Sequence, residues 1–204
     1  MEATSSTRLE PGSRDHLLRT AAAAIEAGLA LAAPSPPDPR VLPPDLRRHL
    51  ASFVTLTIDG GLRGCCGALE PRHPLAVDVW LNAQASAFRD PRFPPLESRE
   101  WSAVDLEVSV LSPLEAVQAG SEAELLRTIR PGTDGLVIAW RGARATFLPK
   151  VWEQIPSPLE FLRHLKRKAG WAEDFWSTEV EVWRYRTETF GVARPGGGPA
   201  SRRA

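Results

Sequence analysis

Residues 52 to 58, SFVTLTI, place Val54, Leu56 and Ile58 on one face of an extended chain and Phe53, Thr55 and Thr57 on the other. That two-residue period is the signature of a strand with one buried face. Asp59-Gly60-Gly61 follows at once, and aspartate and glycine accept the positive φ that a tight hairpin needs. The chain must therefore come back on itself as LRGCCGAL. A second hairpin is written in GLVIAW and ARATFL around Arg141-Gly142. VDLEVSVLS, 104 to 112, alternates again, with Val104, Leu106, Val108 and Val110 opposed to Asp105, Glu107 and Ser109. EVEVWRYR, 179 to 186, reads as a last strand. Hairpin-linked strands make antiparallel sheet.

Helices fill the intervals. Leu17, Ala21, Ala24, Ile25 and Leu29 recur at helical spacing and predict a helix over 14–32. The stretch PSPPDPRVLPP that follows is too proline-dense for regular structure and reads as a surface linker. His73-Pro74 opens a helix that turns Leu75, Val79, Ala83 and Ala87 inward and stops at DPRFPPL, residues 90 to 96. Ser157-Pro158-Leu159-Glu160 is a capping box with proline at the first helical position, and Gly170 is placed to end that helix after Ala169. The expected fold is α+β, a mostly antiparallel sheet flanked by helices. The distance between the two hairpins leaves room for a larger and a smaller lobe. Residues 1–12 and 194–204 read as disordered tails around one two-lobed domain, 13–193.

Composition narrows the function classes. The formal net charge is +0, so no global field favours nucleic acid or anionic lipid. Only Lys150, Lys166 and Lys168 are lysines among the 25 basic residues. An arginine excess can signal phosphate or carboxylate recognition. With alanine and proline also abundant, codon bias is the simpler account. No apolar run reaches the length of a membrane span, and residues 1–13 lack the pattern of a signal peptide, so a cytoplasmic protein is expected. Two cysteines do not make a disulfide framework. There is no CxxC pair, and His16, His49, His73 and His164 show no ligand spacing, so neither a metal nor a cofactor is expected. The seven tryptophans are scattered without a basic stripe, which favours core over a nucleic-acid platform.

The chemistry, if any, lies in LRGCCG. Strict alternation puts Leu62, Cys66 and Ala68 on one face, and Arg63 with Cys65 on the other. Cys66 then reads as a small core hydrophobe. A guanidinium beside Cys65 would favour its thiolate and lower its pKa below about 8.5. Gly64 and Gly67 leave room for a ligand or another backbone to come close. Two readings stand: a reactive thiol at Cys65, or two structural thiols beside a bulge. In DPRFPP, Asp90 and Arg92 either stiffen a turn as an ion pair or offer an anion clamp near the thiol. Glu107 and Ser109 either form the solvated side of their strand or line a site in which Glu107 accepts a proton. Lys168, in KRKAG, suits the C-terminal end of a helix.

Taken together, FVTLTIDGGLRGCCGAL, AQASAFRDPRFPPL, VDLEVSVLSPLE, GTDGLVI, ATFLPKVW and FLRHLKRKAGW, in that order, resemble the AMMECR-one family, whose prokaryotic members are also called AmmeMemoRadiSam system protein A. The resemblance runs from about Leu17 to Phe190. It implies an α+β fold of two lobes with a cleft beside LRGCCG, and a Memo-like protein and a radical-SAM protein as partners. It supplies no established reaction. Its motif positions are Leu62, Arg63, Gly64, Cys65 and Gly67, then Asp90, Arg92 and Phe93, then Glu107 and Ser109, and Lys168 with Gly170. Family members usually carry isoleucine or valine where this chain has Cys66. Two functions are compatible with these residues. In one, Arg63 and Arg92 bind a small anion, helped by Gly64, Gly67, Asp90, Ser109 and Lys168, while Cys65 and Glu107 do the chemistry. In the other, the chain is a non-catalytic partner that presents a peptide or a modified side chain.

Overall fold

A computed structural model of the chain describes residues 8–32 and 35–192. It contains α1 (Pro11–Leu29), β1 (Ser52–Ile58), β2 (Gly61–Gly67), α2 (Leu75–Phe88), β3 (Val104–Leu111), β4 (Glu115–Ala116), α3 (Glu122–Thr128), β5 (Gly135–Trp140), β6 (Ala143–Phe147), α4 (Pro158–Lys168), β7 (Glu181–Tyr185) and β8 (Thr187–Val192). The strands form two four-stranded sheets, ordered β2-β1-β3-β8 and β4-β7-β5-β6. The chain divides into two compact units, residues 112–187 and the segments on either side of them. The α+β architecture and the antiparallel hairpins expected from the sequence are present.

In the unit that brackets the other in sequence, β1 presents Val54 and Leu56 to the core, and β3 presents Val104, Leu106, Val108 and Val110. Leu17, Ala21, Ala24 and Ile25 of α1 and Leu75, Val79, Ala83 and Ala87 of α2 complete the same cluster. Each such large aliphatic side chain stabilises the unit by about 1.5–3 kcal/mol. The core therefore lies on one face of the sheet only. Phe53, Thr55, Thr57, Asp105, Glu107 and Ser109 occupy the other face and are half-buried.

In the 112–187 unit, Leu136 and Ile138 of β5, Val182 of β7, Leu125 of α3 and Phe161, Leu162 and Leu165 of α4 make a second core. Trp152 stacks on Phe161 with ring centroids 3.7 Å apart. The α4 cap is as the sequence predicts. The Ser157 hydroxyl accepts from the Glu160 amide, Pro158 opens the helix, and Gly170 follows its end with φ +80°.

Several expectations need correction. Leu9 is 2% exposed within the core, and α1 begins at Pro11, so residues 8–12 are not a tail. Residues 1–7 and the whole expected tail 194–204 lie outside the described residues. The proline-rich segment holds two short 3-10 helices, Pro39–Val41 and Pro44–Arg47, because proline suits a first helical turn. The expected strand 179–186 is β7, but it is not the last: β8 follows it directly and belongs to the other sheet. The alternation of β2 is broken as well. Leu56 pairs with Gly64 but Thr57 pairs with Leu62, so Arg63 is the extra residue of a bulge. Leu62 thus joins the Thr57 face, 44% exposed, instead of the face of Cys66.

Candidate functional site

The hairpin β1–β2 sets the site. Thr55 pairs with Cys65 on one side and with Glu107 of β3 on the other. Paired residues share a face, so Cys65, Thr55 and Glu107 form a row across the sheet, opposite the core. The Thr55 hydroxyl donates to Cys65 Sγ at 3.3 Å. With strands ~4.8 Å apart, the backbones at Cys65 and Glu107 are about 10 Å apart, and Thr55 stands between them. In the next row Phe53 pairs with Gly67 and with Ser109, and the Ser109 hydroxyl shares a hydrogen bond with Thr189 of β8 at 2.9 Å.

Cys66 pairs with Val54 and so takes the core side, though it is half-buried rather than enclosed. Ser86 of α2 binds there. Its hydroxyl accepts the Cys66 N–H at 2.8 Å and donates to the Val54 carbonyl at 2.7 Å. Burial pushes the Cys66 thiol up, and the nearby Asp90 carboxylate adds to the effect, so this thiol stays protonated to higher pH.

The glycines answer to close packing. A Cβ at Gly64 would lie 2.1 Å from the Ser86 carbonyl oxygen, so α2 can approach β2 only over a glycine. At Gly67 it would lie 2.3 Å from the Ser52 carbonyl oxygen and 2.5 Å from the Phe53 ring. The α2 backbone fills the space at Gly64, and the Ser52 carbonyl with the Phe53 ring fills it at Gly67.

β2 is the edge strand of its sheet, and the DPRFPPL segment covers that edge. Asp90, with its side chain 3% exposed, accepts the Cys65 N–H on Oδ2 at 2.9 Å. Arg92 binds Asp90 with a two-pronged fork, Nε to Oδ1 at 2.9 Å and Nη2 to Oδ2 at 2.7 Å. Its Nη2 also donates to the Cys65 carbonyl at 3.2 Å. The Arg92 guanidinium, with help from the Cys65 amide, holds the Asp90 carboxyl well below the usual carboxylate range.

Two residues away, Arg63 binds Glu100 through Nε at 2.8 Å and Nη2 at 2.9 Å, and donates to the carbonyls of Pro94 at 3.0 Å and Pro95 at 3.4 Å. Arg63 in turn depresses the Glu100 carboxyl. The Phe93 ring has both guanidiniums near it, Arg63 at 6.0 Å and Arg92 at 5.6 Å. Lys168 belongs to the 112–187 unit, where it donates to the Thr146 carbonyl at 3.0 Å and lies over the Phe147 ring.

The structure thus brings Cys65 together with Asp90, Arg92, Gly64 and Gly67, and aligns Glu107 and Ser109 on its face. Arg63 does not act on the thiol; its guanidinium is turned to Glu100. Sequence reasoning missed Thr55, Ser86 and Glu100. Thr55 and Ser86 were recognisable only as strand and helix positions, and Glu100 becomes the partner of Arg63 through a loop. It also missed Lys166, which is 1% exposed and bonded to Glu122 at 2.6 Å and to the Glu173 carbonyl at 2.9 Å. Among the described residues no group of three or more His, Cys, Asp or Glu could hold a metal ion, and no helix is long and apolar enough to cross a membrane.

Known proteins resemble this chain. The AMMECR1 family model matches residues 18–190. A protein of Thermofilum pendens is 38% identical over 197 residues, covering 89% of this chain and 90% of its own. A protein of Methanothermobacter thermautotrophicus is 40% identical over 159 residues, 74% of this chain and 80% of its own. The crystal structure of the uncharacterised protein PH0010 of Pyrococcus horikoshii superposes with a TM-score of 0.79 at 34% identity, covering 90% of this chain and 93% of that one. The chain belongs to the AMMECR1 family, whose function is uncharacterised.

Proposed function

We propose that this chain is a non-catalytic binding component of an AmmeMemoRadiSam-type system, using the sheet face around Cys65 to present a peptide or a modified side chain to a Memo-like and a radical-SAM protein. One observation carries the reading. The three cations that the sequence offered for anion binding each donate to a main-chain carbonyl of the chain itself: Arg63 to Pro94 and Pro95, Arg92 to Cys65, and Lys168 to Thr146. Two of them are also forked on carboxylates. A guanidinium engaged in this way builds the site and does not wait for substrate.

The test is co-purification of the tagged chain with both partners when all three are expressed together. Capture of both by the parent and by Cys65→Ser supports the reading. Failure of the parent to capture either partner overturns it. A thiol enzyme, with Cys65 as nucleophile and Glu107 as proton acceptor, is favoured by the alignment of both residues on Thr55. Turnover of a small anionic metabolite by the parent, lost in Cys65→Ser, would put that reading first.

A further inference from the structure

We infer that Asp90 and Arg92 are positioning residues for Cys65, holding its main-chain N–H and C=O from the open edge of the sheet and so fixing the face on which the thiol sits. The inference rests on the binding reading only in taking the face around Cys65 as the working surface. An edge strand exposes main-chain groups that have no neighbour to pair with. At Cys65 one two-residue device supplies both partners. The Asp90 carboxylate takes the N–H, and the Arg92 guanidinium gives to the C=O. These are the two bonds that a further strand would make, replaced by charge-assisted ones, which are shorter and stronger.

The device is itself rigid. Asp90 accepts from the Arg92 amide at 3.1 Å as well as from its side chain, and the Phe93 amide donates to the Asp90 carbonyl at 3.1 Å. With its N–H and C=O held from outside and β1 on the inside, the Cys65 Cβ is kept on the Thr55 face, where Sγ accepts from the Thr55 hydroxyl at 3.3 Å. Cys66 is held differently, through Ser86 of α2. Loss of Asp90 should therefore affect the two thiols unequally.

The experiment measures iodoacetamide alkylation of Cys65 and Cys66 separately, by peptide mass spectrometry, from about pH 6 to about pH 10. It uses the folded full chain as parent, Asp90→Asn, Asp90→Glu and Arg92→Lys, well below their unfolding midpoints. The high-pH plateau of each profile reports access of the thiolate, and its midpoint reports nearby charge. Asp90→Asn keeps the size but turns an acceptor towards a donor. It should raise the Cys65 plateau about tenfold, the worth of one charge-assisted hydrogen bond, and leave the Cys66 plateau unchanged. Asp90→Glu should fall between the two. If Asp90→Asn proves too unstable, Arg92→Lys, which keeps the charge and loses the fork, should still raise the Cys65 plateau about threefold.

An unchanged Cys65 plateau, or an equal rise at both cysteines, overturns the inference. Partner capture with the same proteins separates this result from the binding reading. A raised Cys65 plateau, with no partner captured even by the parent, upholds positioning and sinks the binding reading. The reverse pair of outcomes sinks positioning alone.

Discussion

Gly64 shows how little of a motif needs to be catalytic. Its neighbours in LRGCCG invite a chemical reading, but the glycine itself is explained by the Ser86 carbonyl that touches the place of its missing side chain. A methyl group there meets backbone, which cannot rotate away. Gly64→Ala should destabilise the protein by about 1–3 kcal/mol, the range for overpacking a fixed site. Urea unfolding checks this, with Gly12→Ala, which meets nothing within 4 Å, as the control. An effect at Gly64 no larger than the control would mean that α2 shifts freely on the sheet. Residue types and spacing made Cys65, Asp90 and Arg92 visible in the sequence as a set. What they did not disclose is direction. Strict alternation places Arg63 beside the thiol, but the bulge at that very residue sends its guanidinium to Glu100. A bulge is one inserted residue in an otherwise regular ladder, and only the register against the partner strand exposes it.

At the scale of elements, the β2 edge and the start of β1 should respond to acid in opposite ways. Asp90 and Glu100 have carboxyls depressed by their arginines. A depressed carboxyl contributes stability that is present above its unfolded pKa, about 4, and is lost as the pH falls towards the folded value. Unfolding midpoints should therefore drop below about pH 4, and Asp90→Asn should remove most of its share of that slope. Asp78 is the reverse case. It is 5% exposed on α2, and its Oδ2 accepts from the Ser52 hydroxyl at 2.6 Å and the Asn82 amide at 2.9 Å. Burial raises its pKa against those two donors and the nearby His73. A raised carboxyl costs stability once the pH exceeds its unfolded value, so the folded state binds the extra proton. Asp78→Asn keeps an oxygen acceptor for both donors. Its stability relative to the parent should improve as the pH rises from about 4 to 7. A difference between the two proteins that does not change with pH would mean that Asp78 does not titrate differently on folding. Neither behaviour was legible in the sequence, where Asp78 is one of many helix-facing polar residues and its Ser52 partner lies across the hairpin.

At the scale of the molecule, periodicity foretold most of the elements and both hairpins, because each hairpin is a local object whose turn residues state its register. It did not foretell that the stretch 179–192 is shared between two sheets, or that α3 exists. β8 pairs with β3 some eighty residues away, a contact that leaves no local trace, and Gly191 fits there against the Leu106 carbonyl. The result is two cores with no residue in common, one around Leu106 and one around Phe161. This separation gives a spectroscopic prediction. Trp80 and Trp101 pack against the first core, and Trp152 lies in the second, stacked on Phe161. Phe161→Ala should cost about 3–5 kcal/mol and change the native tryptophan emission, because Trp152 loses its stacking partner. Leu106→Ala should cost about 2–5 kcal/mol and leave the Trp152 contribution as it was, which a Trp152→Phe background isolates by difference. If Leu106→Ala perturbs Trp152 as strongly as Phe161→Ala does, the two cores are not separate packing units and the division at residues 112 and 187 has no energetic meaning.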